Sequence, residues 1–162
     1  MRPRRFHWEW RLQAAPEQLW PLVADTNRFN RDTHLPSVER VQARRLRFRR
    51  YGVPIEWDEE PFEWVRPERF GVVRRYRSGP LQEMRVRVEL VRTDPGTLLR
   101  YDVEVQPRGL LGALAAPVEI GVLARRRFEQ VFRAYDRAAA AAAPPPAVAR
   151  LERGGAERLA QA

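Results

Sequence analysis

Apolar and polar side chains alternate at the start of the chain: Phe6, Trp8, Trp10 and Leu12 fall on one face, and His7, Glu9, Arg11 and Gln13 on the other. A period of two with one apolar face predicts a half-buried strand. Pro16 then opens a helix at a position that needs no amide donor. Leu19, Trp20, Leu22 and Val23 supply the helix's apolar stripe. Asp25, Thr26 and Asn27, and the stretch from Asn30 to Pro36, are rich in cap and turn formers. They predict one more short helix near residues 26–32.

From Val38 to about Gln106 the pattern is that of strands joined by tight turns. Val41 and Ala43 share a phase that Leu46 and Phe48 break, so a bulge or short break is expected near Arg44. The stretch from Ile55 to Val65 reads as a strand with Phe62 and Trp64 on one face. In the next, Phe70, Val72 and Tyr76 share a face with Arg74. Two further strands follow, one carrying Met84, Val86, Val88 and Leu90, the other Leu99, Tyr101, Val103 and Val105. The turn Thr93-Asp94-Pro95-Gly96 joins them. Connections this short cannot cross over between parallel strands, so the sheet should be antiparallel. After Gly109 the period becomes helical. Leu110, Leu111 and Leu114 suggest a short helix, and a long one is predicted from Pro117 to about Ala143. Its apolar face comprises Ile120, Gly121, Ala124, Phe128, Val131, Phe132 and Tyr135.

The expected fold is therefore α+β: a curved antiparallel sheet of about six or seven strands wrapped on a long C-terminal helix, with two short helices after the first strand. Residues 1–143 form the domain, and Pro144-Pro145-Pro146 opens a Pro/Ala-rich linker, or the stub of a following region, over residues 144–162. This order, with the motif Ala15-Pro16-Glu17-Gln18-Leu19-Trp20-Pro21-Leu22-Val23-Ala24-Asp25, resembles the START-like, or SRPBCC, helix-grip superfamily of polyketide cyclases, pollen allergens and lipid-transfer domains. Asp25-Thr26-Asn27-Arg28-Phe29-Asn30, Pro61-Phe62-Glu63-Trp64-Val65, Phe70-Gly71-Val72-Val73-Arg74-Arg75-Tyr76 and Pro107-Arg108-Gly109-Leu110-Leu111-Gly112 are similar to a domain that precedes bacterial class III adenylate/guanylate cyclase domains. The resemblance implies a cavity for a small apolar or lipid-like ligand, and a regulatory role with a downstream cyclase domain as partner.

Composition narrows the chemistry. The 162 residues contain no Cys and only two His, which leaves no thiolate site and too few ligands for a metal centre. No cofactor is expected, since no Gly-rich phosphate loop is present. The longest apolar run, Leu110 to Ala124, is broken by Pro117 and Glu119 and is too short to span a membrane. With no apolar segment behind Arg4-Arg5, the expected location is the cytoplasm. The net charge is +9, carried by Arg without Lys. Most Arg residues alternate with Glu along strands, which predicts a solvated sheet face and weighs against nucleic acid as a partner. Arg44–Arg50 and Arg125-Arg126-Arg127 are the denser clusters, able to meet phosphate or an acidic surface.

Inward-facing residues of the strands are the candidates for a ligand site: Phe62, Trp64, Arg74, Tyr76, Met84, Tyr101 and Glu60. Glu60 and Arg74 read first as residues of which one or both lie at the sheet edge in water, with an ion pair across the cavity as the alternative. Ligand binding without catalysis is the first reading. The second is a cyclase/aromatase- or hydrolase-like enzyme in which Arg74, Glu60 or Tyr101 polarises a carbonyl. His34, Asn27 and Asn30 read first as loop, cap and turn residues.

Overall fold

The computed structural model describes residues 2–34, 38–50 and 52–142. The first strand, β1 (Arg4–Leu12), leads into α1 (Pro16–Val23) and α2 (Thr26–Asp32). Six strands follow: β2 (Glu39–Arg40), β3 (Arg45–Arg50), β4 (Val53–Val65), β5 (Arg69–Tyr76), β6 (Leu81–Arg92) and β7 (Thr97–Pro107). The chain then stays helical through α3 (Gly109–Ala116), a π-helical segment (Pro117–Ala124) and α4 (Arg125–Ala142). The seven strands form one antiparallel sheet in the order β1-β7-β6-β5-β4-β3-β2. This is the expected helix-grip architecture. The expected linker, residues 144–162, lies outside the described residues.

Most local expectations hold. Pro16 occupies the first turn of α1, and Gln18 closes that end by accepting from the Ala15 amide at 2.9 Å. Asp25 caps α2, its carboxylate accepting from the Arg28 amide at 3.0 Å. The phase slip near Arg44 is a short break: the chain turns between β2 and β3 and pairs the two as a hairpin. At the C-terminal side the structure differs from the pattern. No residue of the π-helical segment is fully buried, and Pro117 does not interrupt the helix. A wider π turn carries the chain past the proline without a break.

The core sits between α4 and the β1–β7–β6 half of the sheet. Trp8, Trp10 and Tyr101 project from the sheet, and Phe128, Phe132 and Phe29 meet them from the helices. Phe132 is completely buried, its ring 5.0 Å from Trp10 and 5.6 Å from Phe29 between centroids. Polar ties fix the helix. Asp136 accepts from the amides of Gln13 and Ala14 at 2.9 and 2.8 Å, and the Tyr135 hydroxyl donates to Asp32 at 2.7 Å. Burial and that bond raise the Tyr135 phenol pKa, so it stays a donor. The convex face is a lattice of ion pairs that includes Arg47–Glu56, Arg45–Asp58, Arg87–Glu63 and Arg100–Glu9. The alternation of Arg and Glu along the strands thus becomes a solvated face, and Arg44, Arg45 and Arg47 in the first basic cluster are neutralised by carboxylates.

Phe132→Ala removes the ring that joins helix, sheet and α2. It should lower unfolding free energy by about 3–5 kcal/mol, read from the urea midpoint at unchanged m-value.

Candidate functional site

The chemistry of the concave face is set by a one-residue irregularity in β4. Trp57 pairs with Tyr76 and Glu59 with Arg74, but beyond Pro61 the register shifts, and Trp64 pairs with Phe70. Phe62 is the extra residue. Proline within an interior strand is at home at such a bulge because the ladder there needs no donor. The bulge reverses the phase of the strand. Trp57, Glu59 and Trp64 face the concave side, and Glu60 and Phe62 face the convex side.

Two expectations are corrected by this geometry. Phe62 does not line the concave face. Its ring lies over Gly71 on the other side of the sheet, where a β-carbon would collide with it, and the Arg85 guanidinium sits 5.0 Å from the ring centre. Glu60 does not pair with Arg74. It binds Arg75 and Arg44 at 2.9 and 3.0 Å on the convex surface, where the Arg75 hydrogen bond lowers its carboxyl pKa. Extrapolating backward from Trp64 with an unbroken period of two selected Glu60, whereas the bulge makes Glu59 the inward carboxylate. Pro61 was the signal that could have revealed it.

Three of the candidates, Arg74, Tyr76 and Met84, do converge. Arg74 donates from Nε to Glu59 Oε2 at 2.6 Å, and Trp57 Nε1 donates to the same oxygen at 3.3 Å. The guanidinium lies 5.9 Å from the Trp57 ring centre. Tyr76 stacks obliquely on Trp57 at 6.0 Å and donates its hydroxyl to the Met84 sulfur at 3.8 Å. Met84 is Arg74's neighbour across the β5–β6 pair, whereas Tyr101, on β7, stands opposite Val88 in the aromatic core and meets Arg74 only through its charge. The Arg74 and Glu59 side chains are 22 and 19% exposed, so the pair is open to one side. Desolvation opposes the charge on Arg74, but Glu59 and the two phenols together outweigh it and raise its pKa. Burial likewise raises Tyr76, and pushes Tyr101 up to about 12 against the pull of Arg74. Both phenols therefore remain protonated donors at neutral pH.

Trp64 stands apart, 56% exposed at the far end of the face, in edge contact with Trp20 at 5.6 Å and tilted on Phe70 at 5.5 Å. His34 is exposed, and Asn30 is a buried residue of α2 itself. α4 packs on β1 and α1, which leaves Leu46, Phe48, Val72, Arg74 and Tyr76 half-buried on the β3–β5 side of the concave face. Two hollows occur among the described residues, and only the second touches the site, through Tyr76. One, of about 390 Å³, runs from Pro16 to Arg69 and Arg92; the other, of about 510 Å³, lies between Arg75, Tyr76 and Arg108. No cluster of His, Cys, Asp and Glu suited to a metal ion occurs among the described residues.

No protein-family model and no curated protein sequence matches the chain. Solved structures do. A protein from Chromobacterium violaceum superposes with a TM-score of 0.62 at 17% identity, over 82% of this chain and 96% of that one. Ara h 8.0201 superposes with a TM-score of 0.60 at 13% identity, over 86 and 99%. The Zhui aromatase/cyclase of a Streptomyces species gives 0.60 at 13% identity, over 86 and 94%. The chain has the START-like helix-grip fold. At these identities the likeness extends to the fold alone.

Glu59→Gln strips the compensating charge from a partly buried guanidinium and should cost about 1–3 kcal/mol in urea unfolding. Glu60→Gln, on the solvated face, should leave the midpoint indistinguishable from wild type.

Proposed function

We propose that the chain is a ligand-binding module that receives a small apolar or lipid-like molecule on the concave face, with one oxygen of that molecule held between Arg74 and Tyr101. The observation that carries this reading is the Arg74–Glu59 pair, whose side chains stay 22 and 19% exposed on a largely apolar face. The Tyr101 phenol, protonated at neutral pH, is near enough to Arg74 to feel its charge. A guanidinium open to one side can donate to an incoming acceptor. A carbonyl or carboxylate oxygen meets that need and gains a charge-assisted bond from Arg74. Phe48, Trp57, Val72 and Met84 offer the apolar wall against which the rest of the molecule would lie. Met84 and the aromatic rings can adapt to ligands of varied shape.

As a regulatory module, the domain would pass the occupancy of this face to a neighbouring unit. The resemblance to domains that precede class III cyclases makes a downstream cyclase domain the proposed partner. A second reading rests on the same groups. An arginine with a protonated phenol beside it, Tyr76, and a second within reach of its charge, Tyr101, would polarise a carbonyl and stabilise an enolate, with Glu59 fixing the arginine. The fold shared with an aromatase/cyclase supports that alternative. Formation of a cyclised product from a polyketide-like substrate would favour it over binding alone.

The probe 1-anilinonaphthalene-8-sulfonate combines an aromatic body with one anionic group, and its fluorescence reports binding. Arg74→Gln should weaken it by about tenfold or more, the loss of one charge-assisted hydrogen bond. Tyr101→Phe should weaken it several-fold, and Glu60→Gln should leave it unchanged. Equal affinity in Arg74→Gln and wild type would place the ligand elsewhere. Native mass spectrometry of protein isolated gently from its own host should show a co-purified small molecule.

A further inference from the structure

A second apolar surface lies outside the concave face. α3 and the π-helical segment expose Leu110, Leu114, Val118 and Val122 at 75, 74, 56 and 47%. They recur every fourth residue, so they share one side of the helical stretch. The opposite side carries mostly small or half-buried residues. Ala116 is buried, Ile120 and Ala124 pack against the core, and Gly112 and Gly121 let the backbone approach Pro80 and the Phe6 ring. The segment is thus anchored largely through its small side chains and displays large aliphatic ones, the reverse of what burial favours.

Exposed arginines stand at both ends of this stripe, and its one acidic residue, Glu119, is half-buried. Arg125, Arg126 and Arg127 follow directly, all exposed and with no ion pair among the described residues. Arg108 stands at the other end and binds the backbone carbonyls of Tyr76 and Arg77, with no ion pair among the described residues. Many of the convex-face arginines, by contrast, are matched by carboxylates. Independently of the concave site, we infer that residues 108–127 form an interfacial anchor that lies flat on an anionic bilayer. Leu110, Leu114, Val118 and Val122 enter the acyl boundary, and Arg125–Arg127 meet the lipid phosphates. Aliphatic protrusion beside unpaired arginine is the chemistry of helices that lie in a membrane surface. The two stretches are eight residues each, too short to span, and no helix among the described residues is long and apolar enough to cross. Pairing with a second copy is disfavoured by charge: an antiparallel arrangement sets Arg125–Arg127 against Arg108, and a parallel one sets the triplets against each other.

Co-sedimentation of the 162-residue chain with phosphatidylcholine vesicles, with and without phosphatidylglycerol, tests this. Binding should require phosphatidylglycerol and weaken as salt is raised. Replacing Arg125, Arg126 and Arg127 together with Gln should lower affinity by roughly a hundredfold. Leu114→Ser combined with Val118→Ser should lower it by about tenfold. Both sets of positions are exposed, so circular dichroism should show the fold intact. Absence of binding to phosphatidylglycerol vesicles would overturn the inference. So would binding that the Leu114→Ser/Val118→Ser variant retains in full, because general attraction of a basic chain would then explain it. A concentration-dependent dimer abolished by that variant, without vesicle binding, would reassign the surface to a second copy.

Discussion

An α-helix with its side chains is about 10 Å across, whereas seven paired strands span roughly 29 Å. One long helix therefore cannot cover the sheet it grips, and the rest of the structure follows from that mismatch. α4 takes the β1–β7–β6 side, where Trp8, Trp10 and Tyr101 meet Phe128 and Phe132 in a continuous aromatic core. α1 and α2 close one end through Trp20 and Phe29. The β3–β5 side keeps a concave face that no long helix covers, and side chains there are half-buried. The uncovered part of the sheet is where polar groups survive on the inner face, and there the candidate site lies.

Polar residues in such a place must satisfy one another or wait for a partner. Arg74 and Glu59 do the first, with Trp57 adding a second donor to the carboxylate. Tyr76 finds the Met84 sulfur. The Tyr101 phenol, packed in the aromatic core, is held protonated by burial and feels the charge of Arg74. The distribution of charge across the two faces of the sheet differs in kind. Outside, arginines and carboxylates alternate in water at little net gain or cost. Inside, a single ion pair sits in a poorly hydrated setting where breaking it is costly.

The π-helical segment solves a related problem. Pro117 falls inside what would otherwise be one long helix, and the widened turn after it keeps the backbone continuous. It also rotates the apolar positions, so the helical stripe that starts at Leu110 stays in solvent while the stripe that starts at Phe128 enters the core. Two apolar faces on one continuous helical stretch thus have different fates, one packed, the other exposed beside Arg125–Arg127.

Periodicity in the sequence was enough for the order of elements, the antiparallel sheet, the two short helices and the stripe on α4, because each depends on residues close in the chain. Asp25 as a cap and Pro16 as a helix opener were legible for the same reason. The identity of the inward residues on β6 and β7 was legible too, since those strands alternate without interruption where they carry Met84 and Tyr101. The site itself was only partly so. A bulge at Phe62 shifts every side chain before it to the other face, and a period-two reading carried through it selects Glu60 and Phe62 in place of Glu59 and Trp57. Which carboxylate meets Arg74 is settled by the pairing of strands distant in sequence. The local pattern holds each strand's alternation; only the assembled sheet fixes the phase between them.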